Sequence, residues 1–340
     1  MDSFTQIVLG AGVAEVTSGR KIGNRALLWG AVCGTIPDLD VYIPTSNIIE
    51  FYQVHRGFSH SIAFAVLITL PLGWILNSFY KKLNHGISTW MTLVFFSTVT
   101  HPILDCFTTF GTELFSPFSD YRVALNSVFV VDPFYTLPFF ICVFSLLFLK
   151  KSNPNRRTLA KTGIILSTLY LFWSLSIKLY INNVFEDELN NQNKKYFDYI
   201  TLPSPLNTFL WRVVAQGEKG FWVGHYSIFS PKKIDFIYVD HNRDILPEDL
   251  LENNQFKRLD KITKGQYIVS KKGENFVFTD MRFQVFLGWE QVSYKSDRFS
   301  IELIKKNDDY HFQRLKENQN YFNLESVVEI LDVLYKKIFY

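Results

Sequence analysis

Three short clusters carry the side chains able to do chemistry. The first is Pro37-Asp38-Leu39-Asp40, two carboxylates just after an apolar segment. The second is His55-Arg56-Gly57-Phe58-Ser59-His60, directly before a long apolar run. The third is His101-Pro102-Ile103-Leu104-Asp105, inside such a run. His101 and Asp105 stand at i and i+4, so a helix puts both on one face, within reach of one ion. Imidazole with carboxylate suits Zn²⁺ first, and the oxygen-rich share leaves Mn²⁺ or Mg²⁺ open. Three histidines and three aspartates supply donors for two or more divalent ions. Such ions acidify a bound water and clamp a phosphoryl oxygen.

Each cluster has a plainer reading. Asp38 and Asp40 can cap a helix. His55 and His60 can face lipid headgroups, and His101 with Asp105 can be a hydrogen-bonded pair. All three plainer readings must hold together to remove the metal site. Around the clusters, Thr108, Thr109 and Thr112 offer hydroxyls. Arg122 has the fork that matches a phosphate, with an ion pair to Asp120 as its alternative. Asp132 precedes Pro133 and reads as a helix cap. Glu15 is open between ligand, proton carrier and interhelical contact.

The elements that must position these residues are apolar helices. Residues 1–185 hold 22 charged side chains, whereas residues 186–340 hold 45. The first part is too poor in charge for a water-facing surface, and the second is ordinary for one. A single soluble domain is therefore excluded, and abundant aromatics exclude disorder. Net charge is +4 in the first part and −1 in the second, which gives no footprint for nucleic acid. Cys33, Cys106 and Cys142 form no CxxC pair, so buried free thiols are expected.

Four stretches have the length and composition of spans: Ser61–Tyr80, Ser88–Phe107, Ser127–Leu149 and Thr158–Ile181. Two shorter Gly/Ala-rich segments, Phe4–Ser18 and Asn24–Ile36, precede them. Ser3-x-x-Gln6 matches a capping box, and Asp2 and Glu15 have the wrong sign for a signal peptide. Basic residues cluster at 20–25, 81–82 and 150–157. If these are cytoplasmic, the three chemical clusters and everything after about residue 182 fall on the outer face. From Tyr226 onward, short aromatic and β-branched runs at 236–239, 267–269, 275–278 and 283–287 read as strands. A polar helix continues over 182–199, and Leu324–Phe339 has helical spacing. Trp211, Trp222, Tyr226 and Trp289 read as core. The expected architecture is a polytopic α-helical membrane domain, residues 1–181, followed by a mixed α/β, β-rich soluble domain, residues 182–340.

Several ordered motifs resemble the YdjM-like family. They are MDSFTQ (1–6), GTIPDLD (34–40), HRGFSHS (55–61), THPILDCFTTFGT (100–112), PFSDYR (117–122) and DPFYTLP (132–138). Members of that family are described as predicted membrane-bound, metal-dependent hydrolases of bacterial inner membranes, some LexA-regulated. The resemblance implies a multi-pass protein of the bacterial cytoplasmic membrane. It carries over Asp38, Asp40, His55, His60, His101 and Asp105 as metal ligands. Many relatives have a histidine where this chain has Gln6. A looser likeness to zinc-dependent phospholipase C implies a phosphoester or lipid headgroup as substrate.

The function expected from these residues is metal-dependent hydrolysis of a membrane lipid or lipid-linked substrate. Asp40 or Asp105 would be the base and Arg122 would hold phosphate. Two other readings stay open. A transporter would string Glu15, His101 and Asp105 along a pathway, whereas a hydrolase would gather its residues in one pocket. A non-catalytic scaffold would tolerate loss of the whole His/Asp set.

Overall fold

The computed structural model describes residues 1–284, 299–306, 309–315 and 324–340. The chain divides into two units. One comprises Met1–Ile43, Val54–Ile177 and Pro205–Asn207; the other comprises Pro44–Gln53, Lys178–Ser204 and Thr208–Tyr340.

The first unit is helical. It contains α1 (Ser3–Ile22), α2 (Asn24–Thr35), α4 (Ile62–Phe79), α5 (Ile87–Asp105) and α6 (Pro133–Ser145). α3 (Ile48–Val54) and α7 (Asn155–Asn191) each contribute residues to both units. α4, α5 and α7 are long and apolar enough to cross a membrane. The stretch expected as a span at 127–149 forms a shorter helix. Asp132 accepts the Phe134 and Tyr135 N–H groups and Pro133 occupies the first turn, so the helix starts there. It gives way to a 3-10 turn at Leu146–Phe148.

The capping box at Ser3 does not form. Asp2 is the N-cap of α1 and accepts from the Thr5 N–H, which leaves the Gln6 side chain for other partners. α1 and α2 lie very close because glycines line their contact. A Cβ at Gly34 would fall 2.6 Å from the Gln6 carbonyl oxygen, and one at Gly30 would strike the Ala14 Cβ and the Gly10 oxygen. Such small-residue seams let helix backbones approach. α1 is also tied to α5, where Ser97 donates to the Gly10 carbonyl at 3.2 Å. Leu9, Val13, Leu104, Tyr135 and Phe139 belong to the apolar core there.

The second unit is rich in strands. One antiparallel sheet runs β1 (Asp198–Pro203), β2 (Leu210–Gln216), β3 (Gly220–Ser227), β4 (Ile237–Asp240). A second runs β5 (Tyr267–Lys272), β6 (Asn275–Asp280), β7 (Ser300–Lys306), β8 (Asp309–Arg314). Strands therefore begin well before Tyr226. Trp211, Val213, Val214 and Ala215 are all fully buried, so β2 lacks the alternation that marks a half-exposed strand. The polar continuation of α7 ends at Asn191, short of the expected 199. Short helices α8 (Glu248–Glu252) and α9 (Asn254–Thr263) separate the sheets in sequence, and α10 (Leu324–Phe339) closes the chain. Phe283 falls in a 3-10 turn, Met281–Phe283, and the rest of the run expected at 283–287, like Trp289, lies outside the described residues.

Candidate metal centre

The three chemical clusters sit at helix ends. Asp38 and Asp40 occupy a 3-10 helix, Pro37–Tyr42, that follows α2. His60 ends a 3-10 turn, Phe58–His60, just before α4. His101 and Asp105 lie in the last turn of α5. Irregular backbone at these ends lets short side chains from different helices converge.

Four of them do. Asp38, His60, His101 and Asp105 each turn one donor atom inward, all within 4.8 Å of one another. The His60 and His101 Nε2 atoms are 3.2 Å apart. Each is 3.4 Å from Asp38 Oδ1 and 3.5 Å from Asp105 Oδ2. A point equidistant from the four lies about 2.0–2.4 Å from each, a range that includes Zn–N and Zn–O bond lengths.

The outer partners select the protonation states. His101 Nδ1 lies 2.6 Å from the Gly34 carbonyl oxygen, which only accepts, so Nδ1 carries the hydrogen. His60 Nδ1 faces Asp40 Oδ2 at 3.2 Å and Ser59 Oγ at 3.0 Å. With Asp40 ionised, Nδ1 is again the donor. With Nδ1 of each ring committed outward, the Nε2 atoms are the ones turned toward each other and toward the two carboxylates. Asp105 Oδ2 is buried without a hydrogen-bond partner. Lone pairs and anions gathered in a buried space repel unless a cation or added protons stand between them. The donor set therefore fits a divalent ion.

Asp40 and His55 lie outside this group of four. Asp40 Oδ1 meets His55 Nδ1 at 2.8 Å, and Oδ2 accepts from the Arg56 N–H at 3.0 Å and Ser59 Oγ at 2.8 Å. Asp40 thus supports His60 from behind, in the manner of a carboxylate–histidine pair at a metal site. Burial raises the carboxyl pKa of both Asp38 and Asp40, but the histidines outweigh it. His101 and His60 hold Asp38 well below the usual carboxylate range, and His55 and His60 do the same for Asp40.

Two more residues complete the centre: Arg56, not singled out from sequence, and Gln6, which stands where many relatives have a histidine. Arg56 is buried, with φ +61°. Its Nε lies 3.2 Å from Asp105 Oδ2 and its Nη1 donates to Thr108 Oγ1 at 2.7 Å. Thr108 in turn donates to the Asp105 carbonyl at 2.8 Å, so this hydroxyl braces the backbone. The only sequence signal for Arg56 was a cation in a charge-poor half, flanked by histidines. Gln6 is fully buried; its Nε2 donates to Asp105 Oδ1 at 2.9 Å and to the His101 carbonyl at 3.3 Å. The Met1 amino group also contacts Asp105 Oδ1.

Arg122 pairs with Glu113. Its Nε and Nη2 donate to Oε1 at 3.2 and 3.1 Å. The Arg56 and Arg122 guanidinium groups each lie 5.5 Å from the centre of the Phe110 ring. Glu15 is far along α1, clamped by Arg156.

The His/Asp centre thus lies at the ends of α4 and α5, two helices of membrane-crossing length and composition. This chain belongs to the YdjM inner membrane protein family, which it matches over residues 1–181. It is also 25% identical over 234 residues to the uncharacterized protein YfhP of Bacillus subtilis (strain 168), covering 66% of this chain and 68% of that one. No solved structure matches the chain.

Proposed function

We propose that this chain is a membrane-bound, metal-dependent hydrolase acting on a phosphoester or lipid-linked substrate. The observation that carries the reading is the convergence of the His60 and His101 Nε2 atoms, 3.2 Å apart, with one oxygen each of half-buried Asp38 and buried Asp105, all within 4.8 Å. Asp38, His60, His101 and Asp105 would hold a divalent ion, Zn²⁺ first and Mn²⁺ or Mg²⁺ next. When bound, such an ion supplies Lewis acidity and an acidified water.

The chain's own residues divide the remaining work. Asp105 has Oδ1 committed to Gln6 and Oδ2 aimed into the donor group, so it serves as a ligand and not as a free base. Asp40 with His55 is the acid–base pair left over. The His55 side chain is 20% exposed against 1% for Asp40, so His55 moves protons between solvent and the buried carboxylate. Arg56 holds Asp105 in place. Arg122, which like Arg56 lies against the Phe110 ring, would meet phosphate on leaving Glu113.

The transporter reading is weaker on this geometry. It needs Glu15 on the same path as His101 and Asp105, and Glu15 is taken up by Arg156. The outer-face placement of the centre and the second unit follows from the positive-inside pattern and is part of this proposal. The test is metal analysis of detergent-purified protein, followed by phosphate release from phosphatidic acid and polyprenyl phosphates. Stoichiometric metal with metal-dependent phosphate release supports the reading. Protein that stays metal-free after incubation with Zn²⁺ or Mn²⁺ overturns it.

A further inference from the structure

A second feature of the first unit lies one helical turn from the centre. A cavity of about 280 Å³ opens between α1, α5 and α7, lined by Leu9, Val13, Ile103, Leu104, Phe107 and Leu171 among others. α1 and α5 each serve both places. Gln6 of α1 reaches Asp105, and Leu9, three residues on, lines the cavity. His101 and Asp105 of α5 face the donor group, while Thr100, Ile103 and Leu104 line the cavity. On α5 the cavity-lining residues alternate with His101 and Asp105, so the cavity lies at the level of the centre on a neighbouring face of the helix.

Its chemistry is that of hydrocarbon. Three of the four polar residues on its wall are bonded internally. Thr100 Oγ1 donates to the Phe96 carbonyl at 2.8 Å, Ser167 Oγ to the Ile164 carbonyl at 2.9 Å, and the Tyr135 hydroxyl is bonded to Ser167. The rim is exposed and apolar, with Ile103 44% and Phe172 63% accessible. Two of the walls, α5 and α7, are of membrane-crossing length and composition, which would set the opening against lipid.

Building on the hydrolase reading, we propose that this cavity holds one acyl chain of a phospholipid whose headgroup lies at the Asp38/His60/His101/Asp105 centre. The cavity would hold part of that chain and set the headgroup at the level of Asp105. Binding energy from this remote, unreactive part of the substrate is what would position the reacting end.

The test places the full chain in nanodiscs of phosphatidylethanolamine with phosphatidylglycerol carrying a diazirine midway along one acyl chain. After irradiation, adducts are mapped by peptide mass spectrometry. Labelling at Ile103, Leu104, Phe107 and Leu171 is expected to exceed that at the outward-facing α4 residues Val66, Leu70 and Trp74 by roughly tenfold, which corresponds to about 1.4 kcal/mol of preference. Ile103→Trp at the rim and Ser167→Trp inside should each abolish the excess, and Ser167→Ala should keep it. Equal labelling of cavity and α4, or an excess unchanged by both tryptophans, overturns the proposal. So does displacement by a polyprenyl phosphate but not by unlabelled phosphatidylglycerol, which assigns the cavity to an isoprenoid chain. Repeating the labelling on metal-free His101→Ala separates the two readings: an excess that persists there keeps the cavity assignment even if no hydrolysis is found.

Discussion

His60 Nε2 and His101 Nε2 face each other at 3.2 Å, although 41 residues separate them in the chain. Each ring is turned by its own Nδ1 partner, Asp40 for His60 and the Gly34 carbonyl for His101. With both Nδ1 atoms committed to these partners, the two Nε2 atoms are left to share one ion or one proton.

The outer and inner partners should separate in metal analysis. His60→Ala and His101→Ala each remove one of four donors and are expected to lose the ion. His55→Ala and Asp40→Asn remove only support, so they should retain stoichiometric metal with affinity lower by about 10–100-fold. Metal content and competition with a chelator measure both. Full loss in His55→Ala would move His55 into the donor set.

The glycine seam should matter to the centre as well as to folding. Gly34→Ala puts a Cβ 2.6 Å from the Gln6 carbonyl, which is backbone and must shift. The same residue's own carbonyl orients His101. Overpacking of this kind costs about 1–3 kcal/mol, so both the melting temperature and metal retention should fall. A variant that melts lower yet keeps wild-type metal affinity would uncouple the seam from the site.

Glu15 and Arg156 form a bidentate pair, with N–O distances of 2.6 and 2.7 Å. Arg156 Nη1 also donates to Asn24 Oδ1 and to the Leu146 and Leu149 carbonyls. Glu15→Gln leaves a buried guanidinium without its counter-charge and should destabilise the chain by about 3–5 kcal/mol. Metal content should not change. Loss of metal with stability intact would instead place Glu15 on an ion path.

Asp132 gives a pH dependence whose sign can be worked out. Burial pushes its carboxyl up to about 6, against the lowering by Tyr170 and the Tyr135 and Phe134 N–H groups. An acid whose folded pKa is raised favours folding when protonated. That contribution is fully present below about pH 4 and is lost as pH rises through about 6. Asp132→Asn keeps a capping oxygen and removes the charge. The variant's melting temperature, measured relative to wild type, should therefore rise between pH 4 and pH 7. A difference that stays flat over that range would show that the carboxyl is not strained.

The chain's residue order was enough to mark the charge-poor half, the membrane-length helices α4, α5 and α7, and the closing helix α10, because apolar length and helical spacing are local properties. The i, i+4 pair of His101 and Asp105 was legible for the same reason. Tertiary structure alone decided which of six candidate ligands meet. Asp38 and Asp40 are two residues apart, yet one enters the donor group and the other backs His60, since a 3-10 turn sends them in different directions. Arg56 and Gln6 gained their roles only through the close packing of α1, α2 and α5, a contact made by glycines with no chemistry of their own. The early strands of the second unit were hidden because both faces of β2 are buried, which erases the alternation that a sequence can display.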